Sequence, residues 1–462
     1  MTETLRTHRV LVIAYYFPPL GLSGVQRTSK FVKYLPQHGW HPSVLTVEDR
    51  AYFAKDAALL DELTDLPVQI HRTRSLDPLH LLRRKNVVQM PRAATLSLFG
   101  KISQTLLVPD NKIGWKRKAV AEGLRIIERD GIDVIFATAP PYTDFLIGEE
   151  LRKRTGLPLV VDYRDAWVDN PLHFYATPLH RALHMRLEQR VLRAAAAIIT
   201  INRPIKEQMV RRYDLVSHND IRIIPHGYDQ DDFTGLERTR KTDGKLRILH
   251  AGTFYYNRSP ETLFRALALL GERHPETRGT VELHLVGSAR EVDAAMVRRM
   301  GLEKQVITRG YLAHRDTVQE LVNADVLWLL IGRGKGEGMM STGKLFEYLG
   351  AMKPILATIP EGAARQVLEK CGAAFFTAPD DVEAIASQMY ALYQLHKSHR
   401  LPVPSYSFVS QFDRNILTGA LAKTLLSVVD TDAGQHTVHT RRASEAATAG
   451  NTVSSISKTT ST

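Results

Sequence analysis

Lys344 and Glu347 are the residues of this chain whose types and spacing best suit charged chemistry. They lie in Ser341-Thr342-Gly343-Lys344-Leu-Phe-Glu347-Tyr-Leu, a short helix-forming run behind the glycine-rich loop Gly332-Arg-Gly-Lys-Gly-Glu-Gly338. A helix N-terminus offers unpaired N–H groups and the positive end of the dipole, so it favours an anion. Ser341 and Thr342 supply N-cap oxygens there. Lys344 falls in the first turn, where a cation is poorly placed unless an anion joins it. Glu347 follows three residues later on about the same side. A cation with amides for phosphate, and a carboxylate that accepts from hydroxyls, suit the diphosphate and ribose of a nucleotide. Two other readings compete. Gly338-x4-Gly343-Lys344 approaches the P-loop pattern, but Leu345 stands where a hydroxyl must hold magnesium. The other is an ordinary amphipathic helix behind a solvated loop.

Further candidates stand at the ends of strand-like runs. Gly21-Leu-Ser-Gly24 follows a strand at Arg9 to Tyr15, and Gly24 opens a helix where it can approach a phosphate. Thr138-Ala-Pro-Pro-Tyr142 follows Val134 to Ala137. Asp162-Tyr-Arg164-Asp165-Ala-Trp167 follows Leu157 to Val161, where Arg164 and Asp165 also suit a local ion pair. Gly252-Thr253 follows Leu246 to Ala251. Arg258 precedes the helix start Ser259-Pro260-Glu261 and offers a second cation for phosphate. Ligands in open parallel sheets bind at the carboxyl ends of strands, which is where Tyr142, Arg164 and Asp165 fall.

The elements that must position them form two series of alternating strands and helices, which predicts an α/β fold with two parallel sheets. The expected division is residues 1–236, 237–402, a final helical segment 403–429 with its helix at Ser407 to Ser427, and a tail 430–462. Polar Glu237 to Lys245 reads as the linker. The tail is rich in Thr, Ser and Ala and poor in large apolar residues, which predicts disorder. Asp430-Thr-Asp432 imitates an acidic metal motif, but its position in that tail argues against the role.

The 462 residues, 44% hydrophobic and 24% charged, are those of a soluble globular protein. One cysteine, Cys371, excludes an intrachain disulfide and fits a reducing compartment. Polar Met1 to Arg9 lacks a signal-peptide core, and no apolar run approaches the ~20 residues of a spanning helix. The net charge of +12 admits nucleic acid, an anionic membrane surface or phosphorylated substrates as partners. Basic residues cluster at Arg83 to Lys85, at Lys112 to Lys118 around Trp115, and at Arg152 to Arg154. No zinc-ligand spacing or RNA-binding motif accompanies them, so a membrane surface or anionic substrate is favoured over nucleic acid.

Taken together, these motifs resemble the group 1 family of retaining nucleotide-sugar glycosyltransferases, over about residues 9 to 428. The carriers are Tyr-Phe-Pro-Pro with its glycine loop, Thr-Ala-Pro-Pro-Tyr142, Asp162-x-Arg164-Asp165-x-Trp167, Ile224-Pro-His-Gly227, His250-Ala-Gly252-Thr253, and Lys344-Leu-Phe-Glu347-Tyr-Leu with Lys353-Pro354. The resemblance implies the GT-B fold, two facing Rossmann-like domains with a last helix crossing back. It implies a donor sugar on a nucleoside diphosphate, an acceptor that is a glycan, lipid-linked or small molecule, and no cofactor or metal. Glu347 looks like the family's ribose-binding glutamate, with Gly252, Thr253, Ser341, Thr342 and Gly343 around the donor. Arg258 and Lys344 look like the diphosphate contacts and Gly24 like the loop glycine facing them. Asp165 is expected to orient the acceptor or the sugar, with Tyr142, Arg164 and Trp167 on the acceptor. Two positions depart from the pattern: Met339 stands where a first glutamate is expected, with Glu337 two residues back, and Thr253 replaces an expected basic residue. The implied setting is polysaccharide biosynthesis, in the cytoplasm or at the inner membrane face. A sugar-nucleotide epimerase on the same plan and a non-catalytic scaffold are the alternatives.

Overall fold

The computed structural model describes residues 7–21, 23–49, 55–76, 105, 107–168, 170, 173–239, 242–254, 259–287, 291–334 and 336–430. The Arg83 cluster, Arg258 and the tail after residue 430, with Asp432, lie outside these residues. The chain divides into two compact units, Met1–Pro225 with Leu417–Thr462, and His226–Ile416.

In the first unit the order is β1 (His8–Ile13), α1 (Ser23–Tyr34), β2 (Trp40–Val47), α2 (Ala58–Asp61), β3 (Gln69–Thr73), α3 (Lys116–Asp130), β4 (Val134–Ala139), α4 (Thr143–Thr155), β5 (Leu159–Tyr163), α5 (Pro178–Ala194), β6 (Ala197–Thr200), α6 (Arg203–Arg212) and β7 (Ile221–Ile223). The sheet runs β3-β2-β1-β4-β5-β6-β7, parallel throughout. Its strands are apolar on both sides because helices cover both faces. Leu11, Ile13, Ile135, Ala137 and Val161 point to one core, and the alternating Val10, Val12, Val134, Phe136 and Val160 point to the other. Side-chain oxygens start two of the helices: Thr177 Oγ1 accepts from the His180 amide at 3.0 Å, and Asn202 Oδ1 from that of Ile205 at 3.1 Å.

The second unit holds β8 (Leu246–Ala251), α7 (Glu261–Arg273), β9 (Val281–Val286), α8 (Glu291–Arg299), β10 (Val306–Gly310), α9 (His314–Asn323), β11 (Val326–Leu330), α10 (Gly343–Gly350), β12 (Ile355–Thr358), α11 (Ala363–Leu368), β13 (Ala374–Thr377), α12 (Val382–Lys397) and α13 (Tyr406–Val409); the last helix, α14 (Arg414–Val429), leaves it. Its sheet runs β10-β9-β8-β11-β12-β13, again parallel. Both sheets thus reverse winding direction beside their first strand, at β1/β4 and at β8/β11. A crevice at the carboxyl ends opens at such a point.

Three expectations shift. The domain division falls at Pro225/His226, not at 236/237. Tyr228 is tied into the second unit, its amide donating to the Phe412 carbonyl at 3.1 Å and its carbonyl accepting from the Arg414 amide at 2.8 Å. Those same bonds interrupt the predicted helix Ser407 to Ser427 at Asp413, so α13 and α14 are separate. The Leu417, Leu421, Leu425 and Val428 side chains of α14 then pack in the first unit's core. Finally, two members of the second basic cluster are inside. Trp115 is fully buried, donating to Thr73 Oγ1 at 2.7 Å, and the buried Lys112 sets its ammonium 4.9 Å from the Tyr15 ring centre. No helix among the described residues is long and apolar enough to cross a membrane.

Candidate active site

At the β8/β11 switch point the two expected elements meet. The Tyr348 hydroxyl on α10 accepts from the Ala251 amide at the end of β8, at 2.8 Å. Burial pushes the Tyr348 pKa well above the ordinary phenol value, so this hydroxyl stays protonated. The bond pins α10 against the turn that follows β8. Gly252 in that turn has φ +133°, and a Cβ there would overlap the Lys344 side chain, 2.8 Å from its Cε. The Lys344 ammonium therefore lies over the Gly252 backbone. Gly287, at the end of β9, has φ +134°, and any Cβ there would meet the Gly252 carbonyl carbon at 2.7 Å. The two glycines let the loops nest, and L side chains would hold them apart.

Thr342 occupies the N-cap of α10 in extended backbone but its side chain caps nothing, and its Oγ1 is buried without a hydrogen-bond partner. The expected N-cap bond is thus absent. A buried hydroxyl without a partner costs free energy, which a ligand oxygen or water relieves. Gly343 opens the helix and, like Thr253 beside Gly252, is partly exposed. Glu347, half-buried, makes no hydrogen bond or ion pair among the described residues. Its carboxylate is open to a hydroxyl-bearing ligand. Ser341 and Glu337 are both buried. Glu337 sits in a single turn of 3₁₀ helix, Glu337–Met339, just before α10.

In the first unit the Asp-x-Arg-Asp run splits into three roles. Asp162 is fully buried and paired with Arg27 of α1, at 3.0 Å to Nε and 2.8 Å to Nη2, and accepts from Thr138 Oγ1 at 2.9 Å. Arg27 also donates to the carbonyls of Ile224 and Pro225, at 2.9 and 2.7 Å. This clasp joins α1, β4, β5 and the end of β7, and no pattern in the sequence announced it. Arg164 is buried and donates to the carbonyls of Ala139, Pro140 and Gly24. It ties the first turn of α1 to the end of β4, and a Cβ on Gly24 would lie 3.2 Å from its guanidinium. Arg164 is therefore spent on backbone rather than on an acceptor.

Tyr142 and Trp167 were also expected on the acceptor, and both are buried. Their rings stack at 4.7 Å and 8°. The Tyr142 hydroxyl donates to the Ala166 carbonyl at 2.7 Å, and Trp167 Nε1 donates to His184 Nδ1 at 3.1 Å. They support the loop from below, which leaves Asp165 as its exposed member. Although its surface is open, surrounding protein desolvates the Asp165 carboxyl and lifts its pKa to about 6, against the pull of the Arg164 charge. Asp144 at the start of α4 is fully buried and accepts from the Tyr15 amide at 2.9 Å; desolvation pushes its pKa well up. Asp110 caps α4, accepting from the Thr143 amide and hydroxyl at 3.0 and 2.7 Å. Sequence reading missed both acids, because each is identified only by what the fold packs around it.

Two family models match the chain: a glycosyl transferase 4-like domain over residues 23–227 and the glycosyl transferases group 1 over residues 245–395. No curated protein matches it in sequence. Among solved structures it is similar to the sucrose-phosphate synthase of Thermosynechococcus elongatus (17% identity, 91% of this chain and 99% of that one, TM-score 0.59). It is also similar to Anabaena HepE in complex with UDP-glucose (16%, 91% and 99%, 0.55). A third is an α,α-trehalose-phosphate synthase of Burkholderia xenovorans in complex with glucose-6-phosphate (12%, 90% and 100%, 0.60). With both sheets in the Rossmann order and both halves matched in sequence, the chain belongs to the group 1 glycosyltransferases of GT-B fold.

Proposed function

We propose that this glycosyltransferase takes its sugar from a nucleoside diphosphate, passes it to a glycan, lipid-linked or small-molecule acceptor with retention of anomeric configuration, and needs no metal. The observation that carries the reading is the Lys344 ammonium over the Gly252 turn, beside the uncapped N-terminus of α10 and the unpartnered Thr342 hydroxyl. Charge grows on the diphosphate as the glycosidic bond breaks, so a fixed cation and oriented amides stabilise the transition state more than the ground state. Glu347, one turn further on, takes the ribose hydroxyls. Arg258 keeps its assignment as a second phosphate contact from the resemblance alone. Asp165 orients the acceptor or the sugar, held by Arg164, Tyr142 and Trp167. The neighbours bound to UDP-glucose and to glucose-6-phosphate support a nucleotide donor and a sugar acceptor for the plan as a whole. Screening purified protein against a panel of nucleotide sugars by thermal shift identifies the donor, because binding stabilises the fold by mass action. The anomeric configuration of the product, followed by NMR, then tests retention. Appearance of an epimer with no acceptor present would overturn the transferase reading.

Turnover is expected to survive chelation. Activity should stay within about twofold when EDTA is added, since Lys344 and the α10 amides supply the positive charge. Loss that magnesium or manganese restores would refute this account of the leaving group.

Asp165 should give the enzyme an acidic limb. Its folded pKa of about 6 lies above the ordinary carboxylate value of 3.8, so the folded state holds the proton more tightly. Ionisation of Asp165 therefore costs stability, the cost appearing as pH rises through that interval and being complete above it. Asp165→Asn is expected to melt higher than wild type near neutral pH, with the difference gone near pH 4. If the ionised form orients the substrate, wild-type kcat should fall below an apparent pKa near 6, and Asp165→Asn should lose about 10–100-fold, the worth of one charged hydrogen bond. A flat profile from pH 5 to 8 would remove Asp165 from the reaction.

A further inference from the structure

The outward face of α5 does nothing for the reaction described above. Beyond Pro178, its exposed positions form one stripe: Leu179 (82% exposed), Ala182, Leu183 (44%), Arg186, Arg190 and Arg193, with Phe174 (38%) just before the helix. Apolar residues occupy the N-terminal half of the stripe and arginines the C-terminal half. The helix has one acid, Glu188, and it is buried on the opposite side, accepting from the Tyr213 hydroxyl at 2.7 Å. Arg190 is half exposed and pairs with Glu149 of α4. Arg186 and Arg193 are exposed. In a parallel sheet α4 and α5 run the same way, so Lys153 and Arg154, in the last turn of α4, stand at the same edge as Arg193. Arg154 pairs with Glu150, whereas Lys153 is exposed.

A helix face with exposed leucines at one end, arginines at the other and no exposed acid matches the interface of an anionic bilayer. An acidic protein would match the arginines but leaves Leu179 and Leu183 without a reason to be exposed. We propose that α5 is a docking surface for anionic lipid, with Phe174, Leu179 and Leu183 entering the headgroup region and Arg186, Arg190 and Arg193 on lipid phosphates. The loop after β5 that carries Asp165 leads directly into α5. Docking through the N-terminal half of the helix therefore brings the Asp165 edge to the lipid surface, where a lipid-linked acceptor resides. That last link rests on the function proposed above; the docking surface does not.

The test is co-sedimentation of the full chain with vesicles of phosphatidylcholine containing about a third phosphatidylglycerol, against phosphatidylcholine alone. Wild type is expected to bind the anionic vesicles at low salt and to release as salt rises. Arg186→Gln with Arg193→Gln should weaken binding by about 25-fold, from roughly fivefold per charge near the surface. Leu179→Ser with Leu183→Ser should weaken it by at least about tenfold. Melting temperature should not fall in either variant. Failure of wild type to bind would overturn the proposal, as would binding that both variants retain. A marked loss of melting temperature in the leucine variant would also overturn it, because it would show that the protein itself covers this face. Since no donor or acceptor is present, the outcome is separate from that of the transfer reaction.

Discussion

Lys344→Ala is expected to lower kcat by about 10²–10³-fold, the usual loss when one preorganised charge-stabilising group is removed, while donor KM rises much less. The reason is timing. The ammonium meets a diphosphate whose charge increases as the bond breaks, so most of its effect lies in the transition state. Lys344→Arg should recover part of the loss. Glu347→Gln should behave differently. It keeps the shape but weakens hydrogen bonds to ribose, each worth about 1.5–3 kcal/mol when charged, and so raises donor KM by about one to two decades. The Glu347 carboxylate has no partner among the described residues, so donor-free melting should hardly move. Donor-induced stabilisation should shrink in both variants. If Glu347→Gln melts well below wild type and binds donor normally, the carboxylate is structural and the pocket is misplaced.

The second large effect concerns stability. Arg27→Ala or Asp162→Asn leaves a buried charge without its partner. Breaking such a pair typically costs about 3–5 kcal/mol, equivalent to roughly 10 °C in melting temperature for a unit of this size. Both side chains are fully buried and share a two-point contact, so solvent cannot compensate. Arg27→Met with Asp162→Leu should recover much of this, because apolar replacement of a whole pair is often close to neutral. Recovery should stay incomplete, since the carbonyls of Ile224 and Pro225 would lose the Arg27 donor. Single variants that cost below about 1 kcal/mol would show that the pair is hydrated and the clasp is not a fold determinant.

Local pattern determined a great deal about this protein. Apolar runs such as Val134–Ala139 and Val326–Leu330 announce strands buried on both faces, and glycines or capping residues mark where helices stop and start. Their strict alternation leaves few topologies other than parallel doubly wound sheets. The carboxyl-end rule then singles out Tyr142, Arg164 and Asp165 as candidates, because ligand position in such sheets follows from connectivity. Tertiary structure decided what each side chain does once there. Asp162, Arg164 and Asp165 are near neighbours in sequence, yet one is locked on Arg27, one on three carbonyls, and one reaches the surface. Trp115 and Lys112 look like members of an exposed basic cluster but are core, because the Tyr15 ring and the Thr73 hydroxyl are brought to them from distant strands. The Tyr348 hydroxyl bond to the Ala251 amide, 97 residues away, sets the height of Lys344 over Gly252. Burial and long-range partners assign these roles. They depend on contacts between segments far apart in the chain, which a local window does not contain, whereas strand and helix periodicity is written within one.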